Sequence, residues 1–294
     1  MKAAVLYKAN MGLEVVDVEQ QGPKPGEVRV KVKAAGICHS DWHIMNGDWP
    51  LPLPMVLGHE AAGIVDEITP GVTNVKPGDH VIFSFRPHCG RCLYCSIGRS
   101  ILCDGHNDTP RWVMFDGTHR LKRNGDEIKQ MARIGTFAEQ VVCPAEHLVP
   151  IKNEMPWAQA ALVGCCVPTG VGAVTRCAEV EPGASVMIVG CGGVGLNVVQ
   201  GARLAGAAVI VGMAAMNVRA PITPYMMALQ EKCIKGTMYG SVRPNLDFPW
   251  LVDQYLAGHL KVDELVSRTY RLEEINEGFA ALRGGQVARG VVVL

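Results

Sequence analysis

Short runs of alternating hydrophobic and polar positions fill roughly the first 165 residues of the chain, a pattern typical of β-strands. Residues 28–32 alternate strictly, and the runs Ala61–Ile68 and His80–Phe83 are further predicted strands. Pairs of glycine and proline separate these runs and indicate turns, at 22–23, 25–26, 70–71 and 77–78. Short strands with such turns predict a barrel-like or sandwich domain.

The pattern changes near residue 157, where helical periodicity and continuous apolar runs begin. Helices are predicted over residues 157–162, 169–178, 194–204, 250–257 and 273–282. Strands are predicted at Ser185–Val189, 209–211 and 290–294. An apolar strand followed directly by a helix is how a parallel α/β unit begins. The chain is therefore predicted to join a β-rich part to an α/β part.

Composition and charge exclude several classes of partner. Of the 294 residues, 48% are hydrophobic and 19% charged, and the 28 Lys and Arg balance the 28 Asp and Glu. A chain with no net charge has no electrostatic attraction for nucleic acid or an anionic membrane, so neither partner is expected. The N-terminal apolar run is too short for a signal peptide, and the most apolar stretch, 198–213, is glycine-rich and contains Arg203. No membrane span is predicted, and a cytoplasmic location is expected.

The chain has 11 cysteines, and their distribution favours metal ligation over disulfides. Four of them are separated by two, two and seven residues: Cys89, Cys92, Cys95 and Cys103. Four thiolates so spaced can complete a tetrahedron around Zn²⁺ and so stabilise a loop that has no hydrophobic core of its own. An iron–sulfur cluster also takes four cysteines, but the spacing differs from the ferredoxin runs and favours zinc. His88 is a competing ligand. The remaining cysteines outside the two ligand sets are interpreted as reduced core residues: Cys143, Cys166, Cys177, Cys191 and Cys233.

A second ligand set is dispersed along the chain. Cys38, His59 and Cys165 offer two thiolates and one imidazole, which make a catalytic type of zinc site with the fourth position open to water or substrate. Their spacing alone does not join them, and each is compatible with a core cysteine or a loop histidine.

A glycine-rich loop follows the apolar strand Ser185–Val189. Gly190-x-Gly192-x-x-Gly195 opens a predicted helix, the context that the dinucleotide-binding fingerprint requires. The fingerprint also needs an acidic residue about 20 positions further on, which binds the adenosine ribose. No Asp or Glu lies between Glu181 and Glu231, so this anchor is absent.

Together these segments resemble the zinc-dependent medium-chain alcohol dehydrogenases. The resemblance rests on residues 36–43, 58–63, the four-cysteine loop, Gly164-Cys165 and 190–195. It implies an α/β plus β protein in which a β-rich GroES-like catalytic domain, 1–167 and 240–294, carries both zinc sites. A Rossmann-type NAD(P)-binding domain with a parallel sheet would cover 168–239. The implied activity is interconversion of an alcohol and an aldehyde or ketone by hydride transfer to NAD(P), with two zinc ions per chain and NAD(H) as cofactor.

The resemblance also implies roles for individual residues. Cys38, His59 and Cys165 would hold the catalytic zinc, with Glu60 beside it and Asp41 orienting His59. Ser40 and His43 would relay the alcohol proton to solvent, and Trp49 and Phe85 would line the substrate pocket. The implied cofactor contacts are His39, Thr169, Gly190, Gly192, Gly193, Val194, Gly195, Val211 and Arg289. Residues 103–135 resemble the long loop of the animal, plant and glutathione-linked branches, which are usually dimers, so a homodimer acting on a small-molecule substrate is expected.

The implied cofactor domain is shortened near 207–208. There the chain passes from the first helix of the domain to a strand that in the family lines the nicotinamide. A βαβ unit takes about 30 residues, so a six-strand sheet does not fit in the residues that follow Gly190. Either a segment is omitted from the sequence or the deletion is genuine. A genuine deletion favours an alternative function, a zinc protein with a defective cofactor site and a hydrolytic, hydration or binding role. NADP selectivity has no support, and the sequence does not specify the alcohol.

Overall fold

The computed structural model describes residues 1–105, 108–212 and 235–294, with the backbone alone for 208–212. The chain divides into two units, which are described separately below. The first unit comprises Met1–Cys165 and Arg243–Leu294, and the second comprises Cys166–Val242. The assignment of these units as catalytic and cofactor domains stays a prediction.

Strands dominate the first 150 residues of the described chain, and most of the longer helices follow them. The strands are β1 (Lys2–Leu6), β2 (Glu14–Asp17), β3 (Glu19–Gln20), β4 (Glu27–Gly36), β5 (Met55–Val56), β6 (Ala61–Ile68), β7 (His80–Phe83), β8 (Leu121–Arg123), β9 (Asp126–Gln130), β10 (Gln140–Pro144), β11 (Leu148–Pro150), β12 (Ser185–Val189), β13 (Ala208–Gly212), β14 (Val266–Tyr270) and β15 (Arg289–Val293). The α-helices are α1 (His39–Met45), α2 (Leu93–Ser96), α3 (Trp157–Val163), α4 (Cys166–Gly172), α5 (Gly193–Leu204), α6 (Pro244–Leu256) and α7 (Ile275–Arg283). Single turns of 3₁₀ helix occupy Ser100–Leu102, Met131–Arg133, Ala145–His147, Tyr239–Ser241, Asp263–Leu265 and Leu272–Glu274, and a π-helical turn occupies Ala173–Ala178.

Two sheets form the first unit. The larger follows the order β11-β7-β6-β4-β15-β14, and the smaller follows β2-β1-β5-β9-β8-β3. The long strand β4 is central to the larger sheet, because β10 pairs with its first half and β15 with its second half. Val28, Val30 and Val32 of β4 are buried, as their strict alternation predicts.

The apolar residues of both sheets share one core with helix α7. Phe279 of this helix packs edge-to-face against Phe137, with the ring centres 5.9 Å apart. Both side chains are almost completely buried. The C-terminal helix and strand are therefore integral to the fold of the N-terminal β-rich segment.

The described part of the second unit holds a single parallel βαβ motif. Strand β12 runs into helix α5, and β13 then pairs parallel to β12 with Ser185 opposite Ala208. The predicted start of a parallel α/β unit is confirmed. The exposed fractions of Met187 and Val189 in β12 are 72% and 48%, so this apolar strand is less covered than a strand inside a doubly wound sheet.

One predicted helix begins earlier than its pattern indicated. Helix α6 was expected from residue 250 but starts at Pro244. Proline is well accepted in a first helical turn, and the Asp247 carboxylate accepts the Arg243 N–H at 2.7 Å. The segment before Pro249 is therefore helical.

In the part of the chain that the structure describes, no single helix combines the length and apolar character that crossing a membrane requires, although one bent pair of short helices meets the criterion by length and composition only.

Candidate metal centres and cofactor loop

One buried cluster unites the dispersed ligand set. The donor atoms of Cys38, His59, Glu60 and Cys165 lie within 4.8 Å of one another, and all four residues are buried. Cys38 directly precedes α1, His59 and Glu60 directly precede β6, and Cys165 lies between α3 and α4. The Cys165 Sγ is 3.4 Å from His59 Nε2. The structure thus brings together the three residues predicted as ligands and the carboxylate predicted beside them.

Asp41 fixes the orientation of His59 from the first turn of α1. Its fully buried Oδ1 accepts the Gly58 N–H at 2.9 Å and lies 3.3 Å from His59 Nδ1. With Nδ1 facing a carboxylate, Nε2 is the nitrogen left for a metal. The Phe85 ring meets the imidazole edge-on, with the ring centres 5.5 Å apart.

Glu60 occupies space that a glycine leaves free. A Cβ at Gly36 would lie 2.8 Å from the Glu60 carboxyl carbon, so a side chain at this end of β4 would displace the carboxylate. On another side, Arg289 brings its guanidinium to 3.5 Å from Glu60 Oε2 and donates to the Ile37 carbonyl at 3.2 Å. Arg289 is predicted to meet the cofactor pyrophosphate; here its buried guanidinium contacts the carboxylate of the metal cluster.

The buried groups of the cluster shift one another's pKa values. Hydrogen bonding with Cys165 lowers the pKa of Cys38 well below its ordinary value, against the effect of burial. The same hydrogen bond and burial raise the pKa of Cys165. Burial lowers the pKa of His59, but the Asp41 carboxylate outweighs this and raises that pKa well above its ordinary value. Two sulfurs, an imidazole nitrogen and a carboxylate form a donor set that suits zinc, whose binding would displace these protons.

The four-cysteine loop forms the second cluster. The thiol sulfurs of Cys89, Cys92, Cys95 and Cys103 lie within 4.8 Å of one another. Backbone N–H groups point at these sulfurs, since Cys92 donates to Cys89 Sγ and Cys89 donates to Cys103 Sγ, both at 3.3 Å. A Cβ at Gly105 would lie 2.5 Å from Cys89 Sγ, so the chain passes close beneath the cluster. This closed set of four sulfurs fits a structural zinc ion.

The thiols of this second cluster differ in acidity. Backbone hydrogen bonds, first from Arg91 and also from Cys92, lower the pKa of Cys89 to about 6. Burial raises the pKa of Cys95 to about 12. His88, the competing ligand, lies outside the cluster and places its Nε2 3.0 Å from the Asn245 amide nitrogen.

The predicted relay residues lie on α1. Ser40 Oγ is 3.8 Å from Cys38 Sγ, which places the hydroxyl at the edge of the first cluster. His43 Nδ1 is 2.9 Å from Asp48 Oδ2, and the His43 ring lies 5.0 Å from the Trp49 ring. Trp49 is half exposed and contacts His43, whereas the other predicted pocket residue, Phe85, borders His59 itself.

The glycine loop of the second unit has the geometry that its sequence predicts. Gly190 has a φ of +109°, and a Cβ at Gly195 would lie 1.6 Å from the Gly190 carbonyl oxygen, so no other residue fits there. Gly192 caps helix α5, whose first turn contains Gly193 and Val194. Thr169 lies on α4, and the side chain of Val211, on β13, is outside the described residues. His39 is an exposed residue of α1 in the first unit, where partial burial lowers its pKa.

Comparison with known proteins identifies the family. Residues 24–153 match the model of the alcohol dehydrogenase GroES-like domain. An NDMA-dependent alcohol dehydrogenase of Amycolatopsis methanolica is 36% identical over 99% of this chain and 98% of its own length. An S-(hydroxymethyl)glutathione dehydrogenase of Paracoccus denitrificans is 33% identical over 99% of both chains. The benzyl alcohol dehydrogenase structure from Acinetobacter calcoaceticus superimposes with a TM-score of 0.90 at 25% identity, covering 100% of this chain and 99% of that one. The chain belongs to the zinc medium-chain alcohol dehydrogenase family.

Membership confirms two predictions for this alcohol dehydrogenase. Its fold combines a GroES-like domain with a Rossmann-type domain, and its class is alcohol oxidoreductase. The alignment with the Amycolatopsis protein spans 364 positions, whereas this chain has 294 residues, so at least 70 aligned positions have no counterpart here. The predicted shortening is consistent with this difference.

Two features of the alcohol dehydrogenase site escaped the sequence analysis. The first is Asp48, the partner of His43. The Asn46 side-chain amide donates to the other oxygen of Asp48, and Asn and Asp two positions apart are a local signal of a turn. The second is the contact between Arg289 and Glu60, which lie far apart in the sequence, so no local pattern predicts it.

Proposed function

We propose that this alcohol dehydrogenase interconverts a small alcohol and its aldehyde or ketone at a zinc ion held by Cys38, His59 and Cys165, with NAD(H) as hydride partner. The observation that carries the proposal is the buried cluster whose donor atoms lie within 4.8 Å, with Asp41 on the far nitrogen of His59. Three protein ligands of this type, with a carboxylate close by, leave a position for substrate. The zinc ion would supply Lewis acidity that makes the alcohol more acidic.

The surrounding residues determine how a substrate is held and where its proton goes. Phe85 closes one side of the cluster and gives an alcohol an apolar surface beside His59. The hydroxyl of Ser40 accepts the alcohol proton, and His43 passes it to solvent. Asp48 holds His43 through Nδ1, so Nε2 is the nitrogen that receives the proton.

Glu60 and Arg289 set the charge next to the substrate position. The carboxylate lies among the ligands, where it offsets positive charge, and the Arg289 guanidinium lies 3.5 Å from its Oε2. The four-cysteine cluster would hold a second zinc ion, which would stabilise the loop around α2.

The cofactor half of the proposal rests on the glycine loop. The N-terminus of α5 offers free backbone N–H groups to a pyrophosphate, and Gly190 and Gly195 allow its close approach. No acidic residue stands where the adenosine ribose needs one, so this half of NAD has no partner in the sequence. NADP selectivity has no support either, since Arg203 does not fit the fingerprint position for a 2′-phosphate, so the proposal is limited to NAD(H).

A second candidate function has a specific observation in its favour. At least 70 positions of a full-length relative have no counterpart in this chain, and the ribose anchor is absent. A chain that no longer binds the cofactor would still be a zinc protein, with a hydrolytic, hydration or binding role. The family resemblance further supports a cytoplasmic homodimer that binds neither nucleic acid nor membranes.

The test is alcohol oxidation by the purified full-length chain after its zinc content has been measured. We expect two zinc ions per chain and NADH formation with benzyl alcohol or S-(hydroxymethyl)glutathione as substrate. Electron acceptors other than NAD, including NDMA, are assayed in parallel because one relative is named for that dependence. A protein with two zinc ions that transfers hydride to no acceptor, yet hydrates or hydrolyses a test carbonyl or ester, would establish the second candidate.

A further inference from the structure

A cavity of about 310 Å³ lies in the first unit, away from both metal clusters. It is bounded by helices α1 and α7 and by the turn that joins β1 to β2. Met45 and Phe279 form its floor and are 3% and 2% exposed, while Trp42 and Arg283 form a wall. No ligand of either cluster lines it. Its volume is within the range of small-molecule sites.

Arg283 supplies the charge at this cavity. Its guanidinium carbon lies 4.9 Å from the centre of the Trp42 ring. Among the residues that the structure describes, the guanidinium has no hydrogen-bond or ion-pair partner, and no other charged residue lines the cavity. The cation therefore keeps its donors available for a ligand while the tryptophan ring limits its orientations.

Other polar groups of the cavity are held in place. Asn276 binds the backbone of Leu13 with both ends of its amide, accepting the N–H at 2.9 Å and donating to the carbonyl at 2.8 Å. Asn10 is fixed through its backbone N–H, which donates to the Met45 carbonyl at 2.6 Å. The walls are thus formed before any ligand arrives, which lowers the entropic cost of binding.

The chemistry of the lining selects one class of ligand. An apolar floor of aromatic and thioether groups takes an apolar or aromatic body, and a guanidinium binds a planar carboxylate through two parallel hydrogen bonds. We propose that this cavity is a second binding site of the enzyme, one for a small carboxylate with an apolar or aromatic body, of which benzoate is the simplest probe.

The site lies behind the helix that carries the relay residues. Since α1 repeats every 3.6 residues, Trp42 and Met45 lie on the face opposite Ser40 and His43. A carboxylate in the cavity would contact α1 without entering the cluster of Cys38, and binding does not depend on the proposed alcohol oxidation.

The experiment is calorimetric titration of the zinc-loaded full-length chain with benzoate and with uncharged benzamide. We expect one benzoate per chain and little heat from benzamide. Arg283→Gln should weaken benzoate binding by about tenfold or more, since it removes a charge-assisted pair. Arg268→Gln is the matched control, because Arg268 is also exposed and also lies 4.9 Å from an aromatic ring, that of Tyr270, but does not line the cavity.

A second variant fills the cavity without touching its charge. Ala280→Leu, on the exposed side of α7, extends an alkyl group into the space and should also abolish benzoate binding. Benzoate binding that survives both Arg283→Gln and Ala280→Leu but is lost in Cys165→Ser would place the anion at the metal cluster and overturn the proposal. Equal binding of benzamide would also overturn it, since the guanidinium would then have no role.

Discussion

At the scale of single residues, the two metal clusters differ in what surrounds their sulfurs. Cys165 lies in a cluster that also holds an imidazole and a carboxylate, whereas Cys92 lies among sulfurs and backbone N–H groups alone. The first environment leaves room for a substrate and the second does not. The same substitution, cysteine to alanine, therefore acts on different properties at the two positions.

Cys165→Ala should abolish alcohol oxidation and leave the chain folded with one zinc ion. Cys92→Ala should mainly reduce the yield of folded protein, because the loop around α2 loses its only metal-based support. Zinc content, circular dichroism and turnover measured on both variants check the prediction. Similar folding yields and similar activities for the two proteins would contradict it.

His43→Ala should lower turnover most below neutral pH, where hydroxide that could remove the proton directly is scarce. The relevant measurement is the pH dependence of kcat. Asp48→Asn serves as the control, since it keeps the imidazole but replaces the carboxylate 2.9 Å from Nδ1. A pH profile that is unchanged in the alanine variant would argue against the relay.

At the scale of elements, a buried ion pair attaches the long loop to the central strand β4. Arg120, fully buried just before β8, donates to both oxygens of Glu27 at 2.8 and 2.6 Å and to Asp116 at 3.0 Å. Lys24 reaches the same Asp116 carboxylate at 2.7 Å. Burial raises the pKa of Asp116, but the hydrogen bonds from Lys24, Thr118 and Arg120 outweigh it and lower that pKa well below its usual range.

Glu27→Gln should destabilise the protein by about 1.5–3 kcal/mol, because it leaves the buried Arg120 guanidinium with Asp116 as its remaining counter-charge. Urea unfolding followed by circular dichroism gives the change. Glu67→Gln is the control, since Glu67 also pairs with an arginine, Arg29, but its side chain is 46% exposed; it should cost at most about 1 kcal/mol. Equal effects of the two substitutions would show that Arg120 finds another partner.

At the scale of the whole molecule, the second unit carries the glycine loop on which the proposed use of NAD(H) rests. Its described part holds one βαβ motif, with the glycine loop but without an acidic residue for the adenosine ribose. A pyrophosphate therefore has a candidate partner in the described part of this unit, and the adenosine ribose has none there.

The chain as it stands should bind NAD little more tightly than nicotinamide mononucleotide, within about tenfold. The charge-assisted ribose contact, which would contribute about 1.5–3 kcal/mol to NAD binding alone, is missing. Titration calorimetry with both ligands on the intact chain provides the comparison. Low-micromolar NAD binding with a strong preference over the mononucleotide would reveal a ribose partner that the sequence does not indicate.

The hydrophobic pattern of the sequence predicted those strands and turns whose formation depends on residues adjacent in the chain. Strands β6, β7 and β12 lie where alternation or apolar runs placed them, and Gly190 adopts the left-handed backbone that its loop requires. The grouping of Cys38, His59 and Cys165 needed a family resemblance, because their spacing carries no sign of proximity. The ion pair between Glu60 and Arg289 was missed, since pairing across the length of a chain depends on the tertiary fold alone.

The low pKa of Cys89 makes the order of events during maturation important. Backbone N–H groups lower the pKa of the Cys89 thiol and so favour its thiolate, which is the form that oxidants attack. The sulfurs of Cys92, Cys95 and Cys103 all lie within 4.8 Å of the Cys89 sulfur, so partners for a disulfide are close by. Zinc and oxidants would therefore act on the same ionised sulfur, since zinc also binds the thiolate form.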